Sequence, residues 1–403
     1  MRATLAKSTL WDVPVLRTLL DLGGVIPVYR RQDEGTDPGK NQETFAKCHE
    51  ELARGGAVAL FPEGISHDAP HLAQIKTGAA RIALEADERF GPLGTFIVPV
   101  GLTFEEKGTF RSRALVQVGE PIEIAPWRAR CVAASQDQAR QVVRELTDAV
   151  RDGLAEVTLN YPSHDDARAI ERASELLARE ELELPARLAL DEAFALRQVF
   201  IEGALKLEER LPERVGGIRK RIARYDEELA RLRVRDDQVA ARYRGADVGL
   251  YLLGSASLLL FWLPLAAVGT AIHFVPYRLC GVIAPFTKTE DLPATMKLFS
   301  GFFLFPITWL VVCGLTWGAA GWGWALLMAL VTPVSGFFAM LFHERHEHFW
   351  DEVESYLSLK LRPARAARLR REREQLRGEI EEMARLERAE STSPSPEGSA
   401  STS

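Results

Sequence analysis

The chain has 403 residues, 47% of them hydrophobic, and a formal net charge of −6. That length predicts two or three domains, and nothing in the acidic balance suggests a nucleic-acid partner. The four cysteines, Cys48, Cys131, Cys280 and Cys313, have no metal or redox spacing and read as reduced packing residues.

In chain order, residues 1–160 alternate short apolar runs with helical patterns. The runs are Val25 to Tyr29, Ala57 to Phe61, Phe96 to Val100 and Leu115 to Val118. Gln42 to Leu52 and Ile75 to Ala86 read as amphipathic helices between them. Strands alternating with helices predict an α/β domain, a sheet flanked by helices. No basic segment followed by an apolar run opens the chain, so no signal peptide is expected.

Residues 163–245 are charged and alanine-rich. Leu190, Phe194, Ile201 and Leu205 recur at helical spacing. Pro185 and Pro212 punctuate this helical region, and the arginines and glutamates from Arg219 to Arg244 read as a solvated helix face. Contact with anionic lipid headgroups is the alternative for that face.

Residues 248–342 form a membrane region. Val248 to Ile272 carries no charge and is long enough to cross a bilayer. Leu298 to Phe342 is also free of Asp, Glu, Lys and Arg. At about 1.5 Å per residue, one straight helix of that length would exceed twice the ~30 Å hydrocarbon thickness. A hairpin of transmembrane helices turning at Gly318 to Gly323 is predicted instead. Arginines flank both ends (Arg242 and Arg244; Arg362, Arg365, Arg368 and Arg370). The positive-inside rule places both flanks in the cytoplasm and asks for an even number of crossings. Either Pro264 makes the first segment re-entrant, or Phe274 to Phe286 supplies a return crossing. Within the two uncharged segments only Cys313 and Tyr251 are ionisable, with His273 at one end, which argues against transport. A charged helix, 343–390, and a disordered serine-rich tail, 391–403, complete the chain.

The candidate chemistry starts at "LFPEGISHD", Leu60 to Asp68, where an apolar strand runs into polar residues. Ligands of open α/β sheets sit at the carboxyl ends of strands. A glutamate there can hydrogen-bond hydroxyls, glycine admits close backbone approach, and Ser66 and Lys76 can serve a phosphate. Upstream, Gly24 to Arg30 is a strand ending in a cation. Downstream, Val98-Pro99-Val100-Gly101 is a strand with a central proline.

Those three blocks, in that order, resemble the phospholipid/glycerol acyltransferase family over roughly residues 5–125. "FPEGISHD" is most similar to the fungal-type glycerol-3-phosphate/dihydroxyacetone-phosphate acyltransferases, and Asp291 to Lys297 resembles a second patch of that group. The resemblance implies a glycerolphosphate-acyltransferase-like sheet followed by a helical region and membrane spans. It implies acyl transfer from acyl-CoA or an acyl carrier protein to the hydroxyl of glycerol 3-phosphate or lysophosphatidate, at a bilayer and without a metal or other cofactor. It implies that Arg30 binds the acceptor phosphate, that Glu63 and Gly64 shape the glycerol site with Ser66 beside them, and that Pro99 lines the acyl side. Lys76 is added from the residues themselves. His67 reads as structural or ligand-orienting.

The family's chemistry rests on an Asn-His followed, after four residues, by Asp. The histidine is the general base and the aspartate orients it. No such block occurs here: His49 is followed five residues on by Arg54, and His67 by Leu72. No catalytic residue is therefore assigned within the chain. The block is expected upstream of Met1, which would be an internal methionine of a longer enzyme. The alternative is a non-catalytic, membrane-anchored relative that binds phosphorylated glycerolipids or acts as a scaffold. His346 and Asp351 have the required separation in an unrelated setting. The nearby His343, His346 and His348 read as an interfacial helix rather than a metal site.

Overall fold

The computed structural model describes residues 2–12, 14–29, 39, 41–106, 111–132, 135–178, 188–240, 245–283 and 292–391. It divides into two units, Met1–Glu175 with Leu188–Arg219 and Met383–Ser403, and Leu176–Arg187 with Lys220–Glu382.

The first unit is built on a three-stranded parallel sheet. β1 (Arg2–Lys7) lies between β2 (Val25–Val28) and β3 (Ala57–Ala59). β1 was not among the expected strands. Its inward residues are only Ala3 and Leu5, so its apolar signal is slight. After β1 come a 3-10 turn (Ser8–Asp12) and α1 (Pro14–Leu22). α2 (Asn41–Ala53) lays Phe45, Cys48 and Leu52 against Ala3, Ile26 and Val58, the spacing of one helix face. Cys48 is fully buried, and burial pushes its thiol up to about 11.

α3 (Gly78–Phe90) starts three residues later than the periodicity suggested. Ile75 ahead of it packs with Ala80, Ala83 and Leu84 against Leu146, Val150 and Leu154. The run Phe96 to Val100 is two strands rather than one. β4 (Phe96–Ile97) pairs with β7 (Ile122–Glu123), and β5 (Val100–Phe104) pairs with β6 (Ala114–Val118), all antiparallel. Pro99 separates them, because it has no N–H to donate to a ladder. α4 (Ala125–Val132) and α5 (Gln136–Glu156) follow, α5 opening on a Ser135/Gln138 capping box. α6 (His164–Ala178) and α7 (Leu190–Arg210) join through Tyr161, Ile170 and Ile201. Along α7, Phe194 and Ile201 are buried while Leu205 is exposed.

α8 (Pro212–Leu232) begins at the predicted proline, a position where the missing N–H costs nothing. Pro185 lies outside the described residues. α9 (Asp236–Ala240) leads to α10 (Gly245–Ile283), α11 (Leu292–Ala320), α12 (Trp322–Leu361) and α13 (Pro363–Ser391). The Arg219 to Arg244 face is more paired than solvated. Arg219 meets Asp166 and Glu208, Arg221 meets Glu379, and Arg235 meets Asp237 and Glu352. Residues 241–244 lie outside the described residues.

Among the described residues, three helices are long and apolar enough to cross a membrane, by Leu253–Val282, Met296–Ala320 and Trp322–Leu361. Phe261 and Leu310 are 78% and 73% exposed, as lipid-facing side chains would be. This is a membrane protein with a hairpin, turned at Gly321 with φ of +88°. α10 runs without interruption through Pro264 and Pro276, so Phe274 to Ile283 continues the first helix instead of returning. The charged stretch after Phe342 is carried by two helices, α12 to Leu361 and α13 from Pro363. The tail beyond Ser391 and most of the patch Asp291 to Lys297 lie outside what is described of side chains.

His273 lies inside α10, and both ring nitrogens are engaged. Nδ1 donates to the Gly269 carbonyl at 2.8 Å, and Nε2 accepts from Trp309 Nε1 at 2.8 Å. A Cβ on Gly336 would come within 2.8 Å of that ring. The histidine is therefore part of how the three helices pack.

Candidate functional site

β1, β2 and β3 are parallel, so their carboxyl ends open on one edge of the sheet. The block Phe61 to Lys76 leaves β3 at that edge. Gly64, at φ +66°, turns the chain, with its N–H bonded to Phe61 O at 3.2 Å. Lys76 N–H donates to Pro62 O at 2.8 Å and closes the loop. Its far side is tied down by Leu72 N–H to Asn160 Oδ1 at 2.9 Å and Tyr161 N–H to Pro70 O at 2.9 Å.

Inside this loop Glu63 is fixed by one oxygen. Oε2 accepts from Ala73 N–H at 2.7 Å and meets His67 Nε2 at 2.6 Å. Ala69 N–H donates to His67 Nδ1 at 3.1 Å. An imidazole nitrogen that accepts carries no proton, so the proton sits on Nε2 and is donated to Glu63. Among the described residues, Glu63 Oε1 accepts no hydrogen bond. One carboxylate oxygen is anchored and the other is available to a ligand hydroxyl.

At the same edge, Tyr29 follows the last residue of β2; its N–H donates to Asn41 Oδ1 at 3.0 Å while its carbonyl accepts from Asn41 Nδ2 at 2.7 Å. Thr44 Oγ1 donates to Pro27 O at 2.7 Å. The first turn of α2 thus clamps the residue before Arg30. Arg30 itself lies outside the described residues. Asn41 and Thr44 were not singled out from sequence: only the fold shows that a helix start meets a strand end. Ser8, just past β1, was missed for the same reason. Its hydroxyl is buried at this edge and, among the described residues, has no hydrogen-bond partner.

The remaining predicted residues differ in their settings. Lys76 lies beside Gly64, its Cγ 3.6 Å from where a Cβ on Gly64 would stand. Ser66 is exposed. Pro99 is buried, with its carbonyl accepting from Gly119 N–H at 2.9 Å. Its ring lies so near α5 that a Cβ on Gly153 would be 2.8 Å from Pro99 Cγ. These contacts give Pro99 a packing role. His346 Nε2 accepts from Trp350 Nε1 at 2.8 Å, and His343 Nε2 lies 3.3 Å from Thr270 Oγ1.

Residues 1–103 match the acyltransferase family model, and residues 181–386 match that of the glycerol-3-phosphate acyltransferase 2 C-terminal domain. The chain is 31% identical over 199 residues to glycerol-3-phosphate O-acyltransferase 2 of Saccharomyces cerevisiae, covering 49% of this chain and 26% of the yeast protein. It is 29% identical over 168 residues to glycerol-3-phosphate O-acyltransferase 1 of the same yeast, covering 42% and 21%. An uncharacterized acyltransferase of Schizosaccharomyces pombe is 29% identical over 232 residues, covering 58% and 33%. The chain thus spans a third or less of the length of these relatives. No solved structure matches it significantly. The C-terminal match alone takes in more than half of the chain, and the chain belongs to the acyltransferase family, in the group that joins an acyltransferase domain to a glycerol-3-phosphate acyltransferase 2 C-terminal domain.

Proposed function

We propose that the protein serves the transfer of a fatty acyl chain from an acyl thioester, acyl-CoA or acyl carrier protein, to a hydroxyl of glycerol 3-phosphate or lysophosphatidate. The observation that carries this reading is Glu63, anchored through Oε2 with Oε1 left open at the carboxyl edge of a parallel sheet. In this reading Glu63 Oε1 accepts an acceptor hydroxyl, and Arg30 pairs with the acceptor phosphate by bidentate, charge-assisted hydrogen bonds. Lys76 adds charge from the far end of the same loop, and Ser66 is a further donor beside it. The proton leaving the attacking hydroxyl goes to the histidine of the family's Asn-His-x4-Asp block, which this chain does not contain. The chain's own residues bind and orient. The arginines flanking the apolar helices favour a cytoplasmic membrane surface as the place of action.

The test is direct binding of glycerol 3-phosphate and, separately, of acyl-CoA to the full chain in detergent. Charge-assisted hydrogen bonds contribute ~1.5–3 kcal/mol each, and about 1.4 kcal/mol is one decade. Arg30→Ala is expected to weaken glycerol 3-phosphate binding roughly tenfold or more, with acyl-CoA binding unchanged. Arg30→Lys should recover part of the loss. If acyl-CoA binding collapses while glycerol 3-phosphate binding holds, Arg30 serves the donor and the cleft is reversed.

A further inference from the structure

Within the second unit, α8 and α13 face each other across a cleft of about 480 Å³ lined by Arg221, Arg224, Arg368, Arg371, Glu372 and Gln375. Each helix contributes two arginines three residues apart, the spacing that puts side chains on one helix face. Arg221 is paired with Glu379, and Arg368 lies 3.5 Å from Glu228. Among the described residues, Arg224 and Arg371 make no ion pair or hydrogen bond, and both are exposed. Two cations held towards one cleft repel each other. Among the described residues, the acid lining the cleft with them is Glu372.

We propose that this cleft binds a phosphate-bearing anion, with the headgroup of an anionic phospholipid as its source. Two guanidiniums on opposite walls can each present a planar pair of donors to one phosphate group, a geometry that lysines would not supply. The lipid source follows from how the walls are carried. α13 follows α12 after the single residue Arg362, and α8 leads through α9 into α10. Both walls are therefore tied to helices long and apolar enough to cross a membrane. Basic groups on helices that lead into membrane segments attract anionic lipid where they lie near the bilayer surface. Glu372 opposes the anion and sets the affinity below what four arginines alone would give.

The experiment uses the full chain in phosphatidylcholine nanodiscs, with or without a minority of phosphatidate, and measures retained phosphatidate after purification together with the melting temperature. Wild type should enrich phosphatidate over its share of the bilayer and melt higher with it. Arg224→Gln with Arg371→Gln should lower the apparent affinity by roughly tenfold or more. Arg231→Gln, on α8 but paired with Glu227 instead of lining the cleft, should not. Glu372→Gln should tighten binding several-fold, a gain that a misfolded variant cannot imitate. Enrichment unchanged in both the double variant and Glu372→Gln overturns the site. Equal displacement by inorganic phosphate at concentrations comparable to the lipid overturns the lipid source.

Discussion

His67 shows how much one hydrogen-bond pattern decides. Its Nδ1 is occupied by the Ala69 N–H and its Nε2–H is committed to Glu63. A general base needs a free lone pair within reach of the proton it takes, and this imidazole has none. The 403-residue chain is therefore expected to show negligible acyl transfer, since general acid–base assistance alone contributes about 10²–10⁴ in rate. Turnover of glycerol 3-phosphate with acyl-CoA by this chain, abolished in His67→Ala, would make His67 the base. The orienting role instead predicts that His67→Gln, which keeps a donor, binds glycerol 3-phosphate better than His67→Ala. Sequence revealed Glu63 through its block, but not its clamp, because Ala73 reaches back to it only once the loop has closed. His49 carries a second prediction. It is buried beside Cys48, 3.8 Å from Glu85, too far for a hydrogen bond, and burial lowers its pKa below the usual 6.5, against an opposing pull from Glu85. The unfolded chain then binds the extra proton first as pH falls. Stability should be full above about pH 6.5 and decline as pH drops towards the folded-state value. Thermal melts of wild type and His49→Gln across that window check it. The variant should lose less on acidification, and parallel curves would remove His49 as the cause.

At the scale of elements, strong apolar runs were legible and weak ones were not. β2, β3 and β6 announced themselves by Val and Ile. β1, "RATLAK", is the central strand, yet Leu5 is its one large apolar residue. The block Val98 to Gly101 was legible as a motif, but its physical reason was not. A Cβ on Gly101 would stand 1.7 Å from the Val157 carbonyl oxygen, a backbone atom at the end of α5. β5 approaches the helix end too closely for any side chain. Gly101→Ala must push strand and helix apart, and overpacking of this kind costs ~1–3 kcal/mol or more. Its counterpart is Gly217→Ala, inside α8, where a Cβ meets nothing within 4 Å. That change should stabilise by ~0.5–1 kcal/mol through helix propensity. Melting temperatures of the two variants should move in opposite directions. A neutral Gly101→Ala would mean that β5 is not seated against α5. The prolines of α10 illustrate the opposite difficulty. Pro264 suggested a break, yet apolar surroundings hold the helix together across it and Pro276, because no water is there to satisfy a freed backbone group.

At the scale of the whole molecule, the number of crossings can be argued from contacts inside the second unit. Residues just before α10 touch residues beyond the apolar part of α12. Arg233 pairs with Glu354 at 3.3 Å and Arg235 with Glu352 at 3.4 Å, while Ser355 Oγ donates to Arg233 O at 3.2 Å. The buried pair of Asp236 and Arg373 adds α13 to the same cluster, at 3.1 Å. Two chain segments in side-chain contact lie on one side of a bilayer. The membrane region between them must then cross an even number of times, although three helices are long enough to cross. Since α11 and α12 form the hairpin, α10, unbroken through Pro264 and Pro276, is the helix expected not to reach the far face. This predicts three facts about single cysteines probed in sealed, oriented vesicles with a membrane-impermeant thiol reagent, on a background in which the four native cysteines are replaced. Cysteines at Arg231 and at Lys360 should label from the same side. A cysteine at Gly323, beside the turn, should label from the opposite side. A cysteine at Lys297, at the start of the α11 span, should label with the first two. Removing Leu298 to Phe342 should weaken resistance to carbonate extraction, because the hairpin then supplies no crossing. If Arg231 and Lys360 label from opposite faces, all three helices cross, and the ion pairs of Arg233 and Arg235 cannot exist in the bilayer-embedded protein.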